Sequence, residues 1–200
     1  GDGTPNVTGL GPGSISIKVT DNGTGLFCFC FISIGEPDLL FDYEFSTISP
    51  TCHGLCNGTS SVGVAGGTDP YTFSWSGGLG TNDTAVNVCA GTYVVTVTDL
   101  HGCTGNTTIV VTEPAVLAAP GSSTNVTCFG ACNGTASVSP TGGTLPYTYN
   151  WSPGSPVGDG TPSISSLCPG VFSCLVTDAN GCTASYSTTI TQPPVLTLAM

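Results

Sequence analysis

The nine residues Thr-Cys-His-Gly-Leu-Cys-Asn-Gly-Thr beginning at Thr51 return at Thr127 as Thr-Cys-Phe-Gly-Ala-Cys-Asn-Gly-Thr, and the sequence after each copy returns in register. Gly66-Gly67-Thr68, Pro70, Tyr71 and Trp75 reappear as Gly142-Gly143-Thr144, Pro146, Tyr147 and Trp151. Val97-Thr98-Asp99 and Gly102-Cys103 reappear as Val176-Thr177-Asp178 and Gly181-Cys182. A chain made by repeating one unit must bury each unit's apolar face inside that unit or against its neighbour, so it supplies length, spacing and display more readily than a single catalytic centre. A third, partial copy precedes these two: Gly1-Asp2-Gly3-Thr4-Pro5 matches Gly158-Asp159-Gly160-Thr161-Pro162, and Val19-Thr20-Asp21 matches Val176-Thr177-Asp178. Residues 1–36 therefore read as the C-terminal half of a module, 37–113 and 114–192 as complete modules, and 193–200 as a linker or the first strand of a following module.

Alternation within the unit specifies strands. Tyr93, Val95 and Val97 fall on one face and Val94, Thr96 and Thr98 on the other, and 107–112 supplies a partner across a short turn. Tyr71, Phe73 and Trp75 put three aromatics on one face of another strand. They read as the core face of a sandwich rather than a sugar-stacking platform. A unit of about 76 to 79 residues, counted from Thr51 to Thr127 and from Asp99 to Asp178, has room for about seven short strands. The expected fold is all-β, with tandem immunoglobulin-like β-sandwich modules, disulfide-stapled and set end to end.

Composition narrows function. The 29 Gly and 15 Pro supply turns, and charged residues are only 6% of the chain, far below an ordinary soluble domain. One Lys, no Arg and a net charge of −11 repel phosphate backbones and anionic lipid, which argues against nucleic-acid partners and electrostatic membrane docking. No apolar run is long enough to span a bilayer. Eleven cysteines, placed equivalently in successive modules, read as a disulfide framework in an oxidising, extracellular or cell-surface setting. The chain reads as a mature or excised secreted segment.

Each complete module holds four equivalent cysteines: Cys52, Cys56, Cys89 and Cys103, then Cys128, Cys132, Cys168 and Cys182. Four cysteines allow three connectivities. Comparison of the modules leads us to expect Cys52 with Cys103, Cys56 with Cys89, Cys128 with Cys182 and Cys132 with Cys168. Cys174 takes the place of Val95 at an inward strand position and is expected to be a buried free thiol. Cys28 or Cys30 is left to find a partner in the other half of its module.

The combination Val-Thr-Cys, Asn-Gly, Gly-Gly-Thr-x-Pro-Tyr-x-Tyr-x-Trp and Val-Thr-Asp-x-x-Gly-Cys resembles the SprB-type repeat of large surface adhesins in gliding and related Bacteroidetes. The resemblance covers both complete modules and the half module. It implies immunoglobulin-like domains in long secreted proteins that act in adhesion or gliding. The additional cysteines Cys56, Cys89, Cys132 and Cys168 and the Phe-Cys-Phe-Cys-Phe run at 27–31 depart from that pattern, toward a hardened, filament-forming variant.

Candidate sites must survive comparison between modules. Cys52, His53, Cys56, His101 and Cys103 are of types that bind zinc, but the second module keeps the cysteines and replaces the histidines with Phe129 and Asn180, which disulfides explain and zinc does not. No catalytic set recurs, and the chain is expected not to be an enzyme and to need no cofactor. Asp21, Asp99 and Asp178 close the same strand in each copy. The first expectation is a turn whose carboxylate accepts backbone N–H groups. The second is calcium, held by Asp99, Asp178 or Asp21 with a linker acid such as Glu113, Glu36, Asp38, Asp42 or Glu44; Gln192 stands where the next linker would repeat Glu113. Candidate glycosylation positions are Asn57, Asn82, Asn106, Asn125 and Asn133, with further triplets at Asn6, Asn22 and Asn150, and Thr84 in an Asp-Thr-Ala motif.

The expected function is a structural segment of an extracellular fibre or adhesin stalk, partnered by copies of itself or adjoining repeats head to tail. The alternatives are a carbohydrate-binding adhesin that meets surface glycans and the spacer region of a larger secreted enzyme. The half module is expected to be completed by polypeptide outside residues 1–200 of its own copy, either continuous sequence or a donated segment such as 194–200 of another subunit.

Overall fold

The computed structural model describes residues 9–35 and 42–198. Asn6, Glu36, Asp38 and the expected boundary at 36/37 lie outside them, and for Asp42 only the backbone is described. β1 (Gly13–Thr20) and β2 (Phe27–Ile34) form an antiparallel hairpin. The first complete module contains β3 (Asp42–Ile48), β4 (Gly58–Ala65), β5 (Thr72–Trp75), β6 (Thr84–Val88), β7 (Gly91–Thr98) and β8 (Thr104–Val111). The second repeats this set as β9 (Gly121–Thr124), β10 (Gly134–Val138), β11 (Thr148–Ser152), β12 (Ser163–Leu167), β13 (Gly170–Thr177) and β14 (Thr183–Ile190). In the first module β3-β4-β6 form one sheet and β5-β7-β8 the other; in the second the orders are β9-β10-β12 and β11-β13-β14. Each module is thus two facing antiparallel three-stranded sheets. Each complete module has six strands where the module length led to an expectation of about seven, and its Gly-Gly-Thr segment is a turn. Gly66 and Gly67 have φ of 82° and 66°, and Gly142 and Gly143 repeat this at 72° and 61°, values that take the chain out of the ladder.

The cores sit between the sheets. Trp75, Val95, Val97 and Ile109 centre the first, with Tyr71, Phe73 and Tyr93 packed against it. Trp151, Cys174, Val176 and Ile190 centre the second. The aromatic faces of β5 and β11 therefore point inward, and each indole N–H is satisfied: Trp75 Nε1 donates to the Asn82 carbonyl (2.8 Å) and Trp151 Nε1 to that of Thr161 (3.0 Å). Cys174 is fully buried and unbonded, and burial pushes its thiol pKa up.

At the end of β6 the register slips opposite Gly58, and at the end of β12 opposite Gly134. The extra residue is Asn87 in one module (φ 56°) and Ser166 in the other (φ 57°). Such a bulge returns the following side chain to the core. Val88 and Leu167 are accordingly buried, and the next residue, Cys89 or Cys168, is aimed at the β3–β4 or β9–β10 loop.

The β1–β2 hairpin superposes by sequence on β7–β8, since Asp21 corresponds to Asp99. Ile17 and Val19 pair with Cys30 and Cys28 on one face, while Phe27, Phe29 and Phe31 share the other with Lys18, whose Nζ lies 4.2 Å from the Phe27 ring centroid. Both faces are exposed, Phe31 to 78%. Among the described residues no third strand joins this hairpin.

Candidate functional site at the junction between modules

Each β3–β4 type loop is built by its own side chains. In the first module Asn57 Oδ1 accepts from Thr51 N–H (3.0 Å) while its Nδ2 donates to Thr51 Oγ1 (2.8 Å), and Leu55 N–H returns to the Cys52 carbonyl (3.1 Å). Asn133, Thr127, Ala131 and Cys128 repeat these contacts at 3.1, 2.8 and 3.1 Å. The recurrent Asn-Gly thus closes a loop, and it explains why Asn57 and Asn133 recur without recourse to glycosylation. Gly58 cannot be replaced without collision, since a Cβ there would lie 2.8 Å from the Ile48 carbonyl oxygen and 2.9 Å from that of Val88. The segment leaving β8 caps this loop: Glu113 Oε2 accepts from Gly54 N–H (2.6 Å) and Oε1 lies 3.0 Å from His53 Nδ1. Gln192 does the same for Gly130 N–H (3.0 Å). An amide oxygen accepts as a carboxylate does, so Gln can replace Glu here without loss of the contact.

The opposite end of each module is the β7–β8 or β13–β14 hairpin. Asp99 accepts from Thr68 N–H (3.1 Å), His101 N–H (2.9 Å) and Cys103 N–H (2.8 Å). Asp178 accepts from Thr144, Asn180 and Cys182 N–H at 2.8, 2.9 and 2.8 Å. Both residues are only 5% exposed. Burial pushes both pKa values up, but the backbone donors of Cys103, Thr68 and His101 at Asp99, and of Thr144, Cys182, Asn180 and Gly181 at Asp178, outweigh it and hold both below the ordinary Asp value. Asp21 is lowered chiefly by Gly23 N–H, which donates at 2.7 Å, with help from Thr24. These three acids and Glu113 are each engaged in a separate local contact. Among the described residues no group of three or more His, Cys, Asp or Glu side chains is placed to hold a metal ion.

The two kinds of end meet between the modules. Cys52 is bonded to Cys182, with Cα atoms 5.8 Å apart. Asn180 Nδ2 donates to the Thr51 carbonyl (2.9 Å) and to Thr144 Oγ1 (3.1 Å). An open cleft of about 330 Å³ beside the bond is lined by His53, Leu55, Val116, Leu117, Gly181 and Thr183 together with the two cysteines. Cys56 is bonded to Cys89 and Cys132 to Cys168, each within its module. The expected pairs Cys52 with Cys103 and Cys128 with Cys182 are corrected: Cys103 and Cys128 carry exposed free thiols. The reason is strand length. Cys52 lies at the end of the module where β8 finishes, and Cys103 lies where β8 begins. The eight residues of β8 separate those ends by roughly 25 Å at the usual rise, whereas a disulfide tolerates Cα separations up to only about 7 Å. The signal was present in the sequence, in the strand pattern between Cys103 and Glu113, once that pattern is read as a distance.

The remaining candidates are placed singly. Asn125 Oδ1 accepts from Thr191 N–H (2.9 Å). Asn82, Thr84 and Asn106 are exposed at separate points on the surface. No helix among the described residues is long and apolar enough to cross a membrane.

Pairs of facing three-stranded sheets, repeated in tandem and stapled by disulfides, define an all-β protein of immunoglobulin-like modules. The SprB repeat family matches residues 45–80 and 121–156, one segment in each complete module. No curated protein matches the chain in sequence. Among solved structures it is similar to the N-terminal four Ig domains of Dscam1 isoform 6.44, at 18% identity and a TM-score of 0.35, over 90% of this chain and 54% of that one. It is also similar to the C-terminal 282-residue fragment of intimin, solved with the intimin-binding domain of its translocated receptor, at 14% identity and 0.35, over 90% and 57%. A third is the ectodomain of mouse nectin-like molecule 4, at 12% and 0.36, over 80% and 67%. The chain spans about half the length of the Dscam1 structures it matches. The fold class rests on the sheets themselves, not on these likenesses.

Proposed function

We propose that this chain is a non-enzymatic structural segment of an extracellular fibre or adhesin stalk, built to keep its length under load. One observation carries the reading. Tension applied to the two ends of the chain passes from Cys52 through the disulfide to Cys182, so the residues between them, which hold most of both cores, lie outside the force path. Within the two complete modules β3 and β14, each at the edge of its sheet, remain open to peeling, and so does the β1–β2 hairpin that precedes them.

Other features support it. The aromatic side chains Tyr71, Phe73, Trp75, Tyr147, Tyr149 and Trp151 are spent on the cores, and the junction cleft is lined by no Phe, Tyr or Trp, which takes these triplets away from the carbohydrate-binding alternative. His53 is engaged with Glu113, Nδ1 lying 3.0 Å from Oε1, as part of the cap on its loop. Copies of the chain joined head to tail would cover the apolar faces of the β1–β2 hairpin and the segment carrying Leu196 and Leu198, which are 94% and 92% exposed. A surface with so few charges also suits glycans at Asn82, Asn106 or Thr84.

Force extension of single chains tests the proposal. Without reductant, lengthening is expected to stop before residues 52–182 are drawn out, and reductant should release them. Full extension without reductant overturns the load-bearing reading. Saturable binding to a panel of surface glycans would favour the adhesin alternative.

A further inference from the structure

We propose that the outward face of the β1–β2 hairpin, the stripe Phe27, Phe29 and Phe31 with Lys18, is a docking platform for an uncharged polysaccharide chain. The inference goes beyond the stalk reading and does not depend on it: the stripe belongs to the β1–β2 hairpin, whereas the stalk reading rests on the Cys52–Cys182 bond.

Repeat equivalence assigns the two faces of the hairpin. Thr20 pairs with Phe27 as Thr98 pairs with Thr104 and Thr177 with Thr183, so the three hairpins align strand for strand. On that alignment Ile17 and Val19 stand where Val95, Val97, Cys174 and Val176 are fully buried. Cys30 and Cys28, paired with Ile17 and Val19, share their side. That face is the one a complete sandwich covers, and the Phe stripe is turned away from it. Its positions are held by Thr104, Asn106 and Thr108 in the first module and by Thr183, Ser185 and Ser187 in the second, all exposed on the outside of a complete sandwich. Three phenylalanines thus replace hydroxyl and amide side chains on a surface that completing the module leaves open, so packing within the module does not account for them.

Size and charge choose the occupant. The face of an eight-residue hairpin is roughly 27 Å long and about 10 Å wide, or about 270 Å². One side of a stable protein interface buries about 800 Å². A third strand beside β1, placed as β5 is beside β7, would not close that gap. A single extended sugar chain fits such a strip. Lys18 is the only Lys or Arg of the chain and its Nζ lies 4.2 Å from the Phe27 ring centroid, so a basic ligand is repelled locally, while the net charge of −11 repels an acidic one. An uncharged chain meets neither obstacle.

The side chains suit a sugar. Phe27, Phe29 and Phe31 are 57%, 51% and 78% exposed, successive ring centroids are 5.7 and 6.3 Å apart, and Phe29 and Phe31 are tilted by only 31° to one another. Pyranose rings of similar span present flat C–H faces with hydroxyls around the rim. The phenylalanines take the C–H faces out of water, while Ser16, Lys18 and Thr20, exposed on the neighbouring strand, hydrogen-bond the rim. Because the stripe follows β2, the sugar chain lies along the strand with Lys18 at one end. Stacking of this kind favours β-linked glucose or xylose, whose hydroxyls lie near the ring plane, over mannose, whose axial hydroxyl interrupts one face.

The test is affinity electrophoresis of the whole chain through native gels containing arabinoxylan, a mixed-linkage β-glucan, α-mannan or, as an acidic contrast, alginate. Arabinoxylan or the β-glucan is expected to retard migration, mannan to do so less and alginate not at all. Phe29→Ser with Phe31→Ser, the residues that the second module carries at these positions, should abolish the retardation. Cys28→Ser with Cys30→Ser, on the other face, should leave it unchanged. Lys18→Thr, as at Thr96, should weaken it while sparing the stripe, and it keeps the test valid if the double phenylalanine variant misfolds. No retardation by any uncharged polymer overturns the proposal. Retardation that survives the phenylalanine replacements also overturns it and moves sugar binding to the complete modules. A dimer of the chain alone, seen by sedimentation and lost with the same replacements, overturns it in favour of a second copy on this face. The stalk reading is decided separately, by extension between residues 52 and 182.

Discussion

Asp99 and Asp178 hold three backbone donors apiece and so tie the hairpin tip to the Gly-Gly-Thr segment opposite. Because their folded pKa values lie below the unfolded ones, the stability they contribute is complete above the ordinary carboxylate range, near pH ~4. It is lost as pH falls through the lowered values. Melting temperature measured from pH 7 to pH 2 should therefore drop at the acid end, and a double replacement of Asp99 and Asp178 by Ala should lower the neutral value and flatten the acid limb. Melting with and without a chelator checks the role of these carboxylates: no shift is expected of turn anchors, and a clear drop would assign them to calcium. Trp151 is the largest fully buried side chain. Trp151→Ala should destabilise the second module by about 3–5 kcal/mol, the usual cost of deleting a large buried aromatic, and differential scanning calorimetry should resolve a lower transition for that module alone.

Among the elements, the bulges at Asn87 and Ser166 have the clearest consequence. They place Val88 and Leu167 in the cores and the following cysteines against the loops that carry Cys56 and Cys132. Each of these bonds closes a short loop, with a separation of 36 residues for Cys132 and Cys168. Constraining the unfolded chain by that length is worth about 3–4 kcal/mol in the chain-entropy account. Replacing Cys132 and Cys168 together by Ser should cost the second module that amount in denaturant unfolding, with the first module unchanged. A loss felt equally by both modules would mean that they unfold as one unit.

For the whole molecule, the Cys52–Cys182 bond fixes the relation between modules and the intramodule bonds do not. Cys52→Ser is expected to leave both modules folded, because each core is complete without it, but to free their relative orientation. Small-angle scattering should show a broader distribution of lengths than for the parent chain. An unchanged profile would mean that the Asn180 contact to Thr51 and the packing around Leu117 hold the junction unaided.

The module, its strands, its inward aromatics and the buried place of Cys174 were legible in the sequence, because each follows from spacing along the chain: a period of two for strands, and one repeat length for the array. The bonds Cys56–Cys89 and Cys132–Cys168 are also repeat-internal pairs, whereas the count of six strands in place of about seven was not legible, because module length bounds a strand number without fixing it. The partner of Cys52 is of another kind. Cys103 and Cys182 have the same local sequence and the same hairpin, so nothing near them in the chain distinguishes one from the other. The choice depends on which end of a strand each occupies and on which module is stacked above which, and those are distances across the folded molecule that only the tertiary structure supplies.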